Sequence, residues 1–93
     1  MDLDWGKIWV LMYQTIHESV DVAGVFSHGK FVPKKFRWRS RECIVEAITY
    51  TGDFKDGGVR SRQYSVLVKG TLCRLLYNRE TEDWFIEEVW YEG

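Results

Sequence analysis

After position 20 the apolar side chains of this sequence fall at every second residue, in short runs broken by glycine, serine and asparagine. Two is the period of a strand, whose successive side chains leave opposite faces, so this half-buried pattern ties the chain to sheets. The runs cover residues 20–26, 31–39, 42–51, 62–69, 71–77 and 84–91. Ser27-His28-Gly29-Lys30, Arg39-Ser40-Arg41 and the region of Gly70 read as tight reversals. Residues 78–83 read as a polar hairpin loop, and residues 51–60 as one long loop with three glycines and two aspartates. Pro33 suits a strand start, because it donates no ladder bond. In 42–51 both faces are partly apolar, which predicts a bulge or burial on both sides.

Residues 3–18 carry a different period. Trp5, Ile8, Trp9, Met12 and Ile16 are spaced by three and four, which predicts an amphipathic helix with Asp2 or Asp4 at its start and His17 in its last turn. The fold expected is α+β: an N-terminal helix packed on a six-stranded antiparallel meander or small half-open β-barrel formed by residues 20–91, all in a single domain, 1–93. The stripe of Trp5, Trp9 and Met12 has two readings, burial against this chain's own sheet or a homodimer or protein-partner interface.

Aromatic residues make up 16% of the chain, enough to supply a small core, since each buried ring removes about 150–250 Å² from water. The longest apolar run, Ile8 to Tyr13, is far below the ~20 residues of a membrane span, so no membrane association is expected. The acidic start Met1-Asp2-Leu3-Asp4 is unlike a secretory signal, and a cytoplasmic protein is expected. Cys43 and Cys73 set up no disulfide framework and are expected as reduced core residues.

No reaction is indicated. His17, His28, Cys43 and Cys73 do not stand at metal-ligand spacing, and no nucleophile has a base beside it, so neither metal, cofactor nor catalytic residue is assigned. Glu80, Glu82 and Asp83 crowd one polar turn, and Glu87 and Glu88 are expected on opposite faces of a strand. Residues 51–60 lack the order of a phosphate-wrapping loop, and no small-molecule substrate is indicated.

Charge is unevenly placed. Residues 28–69 hold ten basic against four acidic side chains, while both flanks are acidic and the whole chain is at −1. Lys34, Lys35, Arg37, Arg39 and Arg41, interleaved with Phe36 and Trp38, could neutralise phosphates while a ring stacks on a base, with Arg60 and Arg62 of the long loop contributing. Alternatively this is a structural hairpin, its rings in the core and its arginines pairing across strands with Glu46, Glu87 or Glu88. The period of two puts Phe36 and Trp38 on one face and Arg37 and Arg39 on the other, whereas a stacking platform needs both together.

The stretches "FRWRSRECIVEAI" and "YSVLVKGTLCRLLYNRETEDWFIEEVWYE" resemble an uncharacterised small β-domain family with an F-x-W-R-G-R-x-aromatic-x-V hairpin and a W-x-hydrophobic stretch before an aromatic–acidic end. Members occur as stand-alone bacterial proteins and at the C-terminus of some Y-family DNA polymerase homologues. The matching positions are Phe36, Trp38, Arg39, Arg41, Val45, Trp84 and Trp90; Ser40 replaces the usual glycine and Cys43 the usual aromatic. The resemblance covers residues 31–92 and implies no catalytic residue. It implies a non-enzymatic accessory or interaction domain linked to DNA repair or replication. Direct nucleic-acid binding through the 30–41 hairpin and dimerisation through the N-terminal helix stand as alternatives.

Overall fold

The computed structural model describes residues 13–91. These form eight strands: β1 Tyr13–Ser19, β2 Asp21–Ser27, β3 Lys30–Trp38, β4 Arg41–Ile44, β5 Ala47–Asp56, β6 Val59–Val68, β7 Thr71–Asn78 and β8 Trp84–Trp90. All pairings are antiparallel, in a five-stranded sheet of order β1-β8-β7-β6-β5 and a three-stranded sheet of order β2-β3-β4.

The expectation of a helix packed on six strands is overturned: the described residues contain no helix and are about 78% strand. Residues 13–18 of the expected helix lie in β1, while residues 3–12 lie outside the described residues, Trp5, Trp9 and Met12 among them. β1 runs along β8 from Tyr13↔Trp90 to Ser19↔Phe85 and supplies the ladder bonds that this flank of β8 would otherwise lack. One extra residue between Thr15 and Glu18 breaks its alternation, and His17 there takes φ 63°. A strand with a bulge loses the period of two, so residues 13–18 carry no strand alternation in the sequence. His17 is therefore no helix-end residue: its ring stacks on Phe85, centroids 4.7 Å apart, and Nδ1 meets Glu87 Oε2.

Two bends pass the chain between sheets. At Val20, buried between β1 and β2, the N–H donates to Trp84 O at 3.1 Å. Between β4 and β5, Val45 N–H donates to Lys34 O at 2.9 Å and the next amide, Glu46, to Leu67 O at 2.8 Å, so adjacent residues bond to different sheets. The sheets thus face one another with the core between them: Phe36 from β3 meets Tyr64, Val66, Cys73, Leu75, Ile86 and Val89 of the larger sheet. Phe36→Ala in such a place costs about 3–5 kcal/mol.

The expected long loop at 51–60 is also overturned. β5 and β6 pair out to Asp56↔Val59, and only Gly57 and Gly58, with φ 57° and 89°, make the turn. Two adjacent glycines satisfy the double positive φ of the tightest hairpin turn, so the polar letters around them remain strand. Arg60 and Arg62 therefore stand on β6 rather than on a loop.

Candidate nucleic-acid interface

The structure splits the expected basic strip. Phe36 is buried and Trp38 half-buried, while Lys34, Lys35, Arg37 and Arg41 are exposed. Pro33 and Phe36 both reach the interior, because Lys34 is an extra residue opposite Ala23 and Gly24 of β2. Lys35 pairs with Glu42 at 2.9 Å, and Arg37 lies in one cross-strand row between Asp21 and Glu42, so acids offset this face. Lys34, Arg37 and Arg41 make no ion pair among the described residues.

Arg39 departs from the expected outward face. It is a turn residue at φ 52°, and its guanidinium lies over the Trp38 ring, 4.6 Å from the centroid. It pairs with Glu18 through Nε at 3.0 Å and Nη2 at 2.7 Å, not with Glu46, Glu87 or Glu88. Of the two last acids, Glu87 meets His17 and Glu88 meets Arg74. Ile86 and Val89 are both core residues with two residues between them, so a bulge turns Glu87 and Glu88 to the same outer side, contrary to expectation. Arg60 pairs with Glu80 at 2.9 Å and Arg62 with Asp53, so both of these candidate cations are engaged within the chain.

More rings and cations come together on the large sheet. One row of the large sheet reads Asp53–Arg62–Tyr77–Trp84 across β5, β6, β7 and β8. The β2–β3 hairpin brings Phe31 over this row, and a cleft of about 490 Å³ opens between Phe31, Tyr77, Trp84, Lys30, Arg62 and Arg79. Buried Tyr64 forms its floor, and its hydroxyl donates to Phe31 O at 3.2 Å, tying the two sheets there. The Trp84 ring lies 4.8 Å from Tyr77, 5.5 Å from Tyr64 and 5.7 Å from Phe31, all tilted. Phe26, 77% exposed, continues the series edge-on to Phe31 at 5.4 Å and forms the lip.

Gly24 makes room for this. A Cβ there would strike the Val32 carbonyl and come within 2.7 Å of Phe31 Cζ, so only glycine lets the ring lie against the backbone of β2. Beyond Phe31 a second hollow of about 400 Å³ continues past Lys30, Arg62 and Tyr64 to Thr51, Gly52 and Asp53, making the whole an open trench.

Three cations line the trench against one carboxylate. Asp53 Oδ1 accepts from Arg62 Nε at 2.6 Å and Oδ2 from Arg62 Nη2 at 3.1 Å, and Arg79 Nη1 stands 3.8 Å from Oδ2. Those bonds from Arg62 hold the Asp53 carboxyl below the usual range, with Arg79 and Lys30 adding to the effect, and they hold the Arg62 guanidinium protonated more firmly still. Chemically the trench offers ring faces to a flat group and guanidinium and ammonium donors to an anion.

Of the candidates read from sequence, Arg62 lies here, together with Lys30 and Phe31 at the start of the 30–41 hairpin. Tyr64, Tyr77, Arg79 and Trp84 were missed as partners of that hairpin. The signal was in the turns: Gly57-Gly58 and Lys69-Gly70, read as two-residue reversals, put Asp53 opposite Arg62 and Arg62 opposite Tyr77. Cys43 and Cys73 are both unpaired; burial and the neighbouring Cys43 push the Cys73 thiol up to about 11, away from reactivity. No group of histidine, cysteine and acid side chains among the described residues is placed to hold a metal, and no helix there is long and apolar enough to cross a membrane. Comparison with family models, curated proteins and solved structures finds no match to this chain.

Proposed function

We propose that this chain is a non-enzymatic accessory module that holds an unpaired stretch of single-stranded nucleic acid in the trench, bases against Trp84, Tyr77 and Phe31 and phosphates at Lys30 and Arg79. The observation that carries this reading is the meeting of three rings, Phe31, Tyr77 and Trp84, with Lys30, Arg62 and Arg79 in one open cleft of about 490 Å³; the hollow at the 34–41 strip, about 270 Å³, joins Trp38 to Arg39 and Arg41, and there Arg39 is already held by Glu18. A nucleotide presents a flat π-face and an anion a few ångströms apart, and stacking on an aromatic side chain contributes about 1–3 kcal/mol per base. A polymer suits the site better than a small metabolite, because the cleft runs open past Phe31 into a second hollow instead of closing around one ligand. A place in DNA repair or replication agrees with the resemblance to domains appended to some Y-family polymerase homologues.

Titration of labelled oligothymidine and oligouridine at about 50 and 200 mM salt tests this. Micromolar binding is expected, and its logarithm should fall with the logarithm of salt at a slope near −1.4 for the two phosphates at Lys30 and Arg79, about −0.7 each. Arg79→Gln, at an exposed side chain, should flatten that slope by about 0.7 and weaken binding several-fold. Absence of binding at the lower salt, or an Arg79→Gln protein indistinguishable from the parent, sinks the proposal.

A further inference from the structure

Resting on that reading, we infer that the Asp53 carboxylate occupies the position of a backbone phosphate, and that an incoming strand must displace it from Arg62. All three cations of the trench converge on this one carboxylate. Arg62 donates twice, at 2.6 and 3.1 Å, Arg79 stands at 3.8 Å, and the charge of Lys30 is felt there as well. A carboxylate and a phosphodiester present the same two-oxygen edge to a guanidinium, so the geometry that suits one suits the other.

The arrangement is built for exchange. Asp53 lies on β5, the outermost of the described strands of its sheet, and its side chain is half exposed, whereas Arg62 on the neighbouring strand is 22% exposed and held among rings. The cation is fixed and its anion is loose. An ion pair with one half in water is weakly held, so a phosphate that also brings a stacked base can replace it. Asp53 then acts as a specificity-determining residue: it turns away lone anions and admits only ligands that fill both the ring-lined and the cationic parts of the trench.

Asp53→Asn removes the competing charge and keeps the side-chain shape; Asp53→Ala removes the acceptor as well. With labelled oligothymidine, both variants are expected to bind about two- to fivefold more tightly than the parent, the range an exposed ion pair can supply. Their salt slope should steepen by about 0.7, as Arg62 becomes available for one more phosphate. With pyrophosphate as probe, the Arg62 Nε–H resonance should shift in Asp53→Asn and stay unmoved in the parent at the same concentration. If the parent binds and Arg79→Gln weakens it while both Asp53 variants bind like the parent, the inference falls and the binding reading stands. If neither the parent nor either variant binds at low salt, both fall.

Discussion

Glu18 joins two adjacent side chains, Trp38 and Arg39, that lie far from it in the sequence. Its Oε1 accepts from Trp38 Nε1 at 2.8 Å and from Arg39 Nε at 3.0 Å, and its Oε2 from Arg39 Nη2 at 2.7 Å, while Arg39 covers the Trp38 ring. One carboxylate thereby orders the tip of the β3–β4 hairpin against β1. Arg39's hydrogen bonds first, and that of Trp38 second, lower the Glu18 carboxyl from its ordinary range to about 2. A carboxyl whose folded value is depressed stabilises the fold above its unfolded value, near 4.5, and loses that contribution as pH falls towards 2. Glu18→Gln should therefore melt below the parent at pH 7, and the gap should close between about pH 4.5 and pH 2 in thermal unfolding followed by circular dichroism. A gap of equal size at pH 7 and pH 2 would assign the loss to packing instead of charge. The inward placement of Phe36 was legible from alternation alone. The partner of Arg39 was not, because Glu18 belonged to a segment whose spacing of three and four pointed to a helix.

Among the elements, turns carried more information than the strands they join. Four hairpins close with two residues at positive φ: His28-Gly29, Arg39-Ser40, Gly57-Gly58 and Lys69-Gly70. Such turns match the right-handed twist of the flanking strands, and three of the four place glycine second. The exception is Arg39-Ser40, where both residues carry a Cβ at φ 52° and 62°. A left-handed non-glycine residue costs roughly 1–2 kcal/mol, part of which glycine would repay by its own greater freedom when unfolded. Ser40→Gly should therefore raise stability by about 0.5–1 kcal/mol, read as a higher urea midpoint at unchanged slope. A lower midpoint would mean that the Ser40 side chain contributes something its exposed position does not suggest. The same turn logic would have given the trench. Once Gly57-Gly58 is taken as the entire reversal, Asp53, Arg62 and Tyr77 fall into one row; taken as part of a ten-residue loop, they fall nowhere. Bulges were the opposite case. The extra residues at Lys34, near His17 and near Glu87 leave no mark in composition, yet each resets which side chains face inward.

For the whole molecule the decisive pairing is the one between the strand farthest toward the N-terminus and the last. The β2–β3, β3–β4, β5–β6, β6–β7 and β7–β8 pairs are all joined by short reversals, but Gln14 meets Val89 and Ser19 meets Phe85 across most of the chain. Local hairpins have little loop entropy to overcome, and distant pairings have much, so β1 should dock after the β5–β8 hairpins exist. Among the described residues it also lies at a sheet edge and pairs with one strand, and it is interrupted by its own bulge. Central β6 and β7, by contrast, bury Val66, Cys73 and Leu75 and are bonded on both sides. Native-state hydrogen exchange should separate the two groups: amides of Val66 and Leu75 exchanging only with global unfolding, and those of β1 exchanging faster, in a smaller opening that leaves β5–β8 intact. Equal protection in β1 and β7 would show instead a single cooperative unit. The distinction matters to the binding site, because the row Asp53–Arg62–Tyr77–Trp84 lies wholly within β5–β8. Opening at β1 would loosen the Val20–Trp84 bond at the bend, yet Arg62, Tyr77 and Trp84 would keep their places on the strands that hold longest.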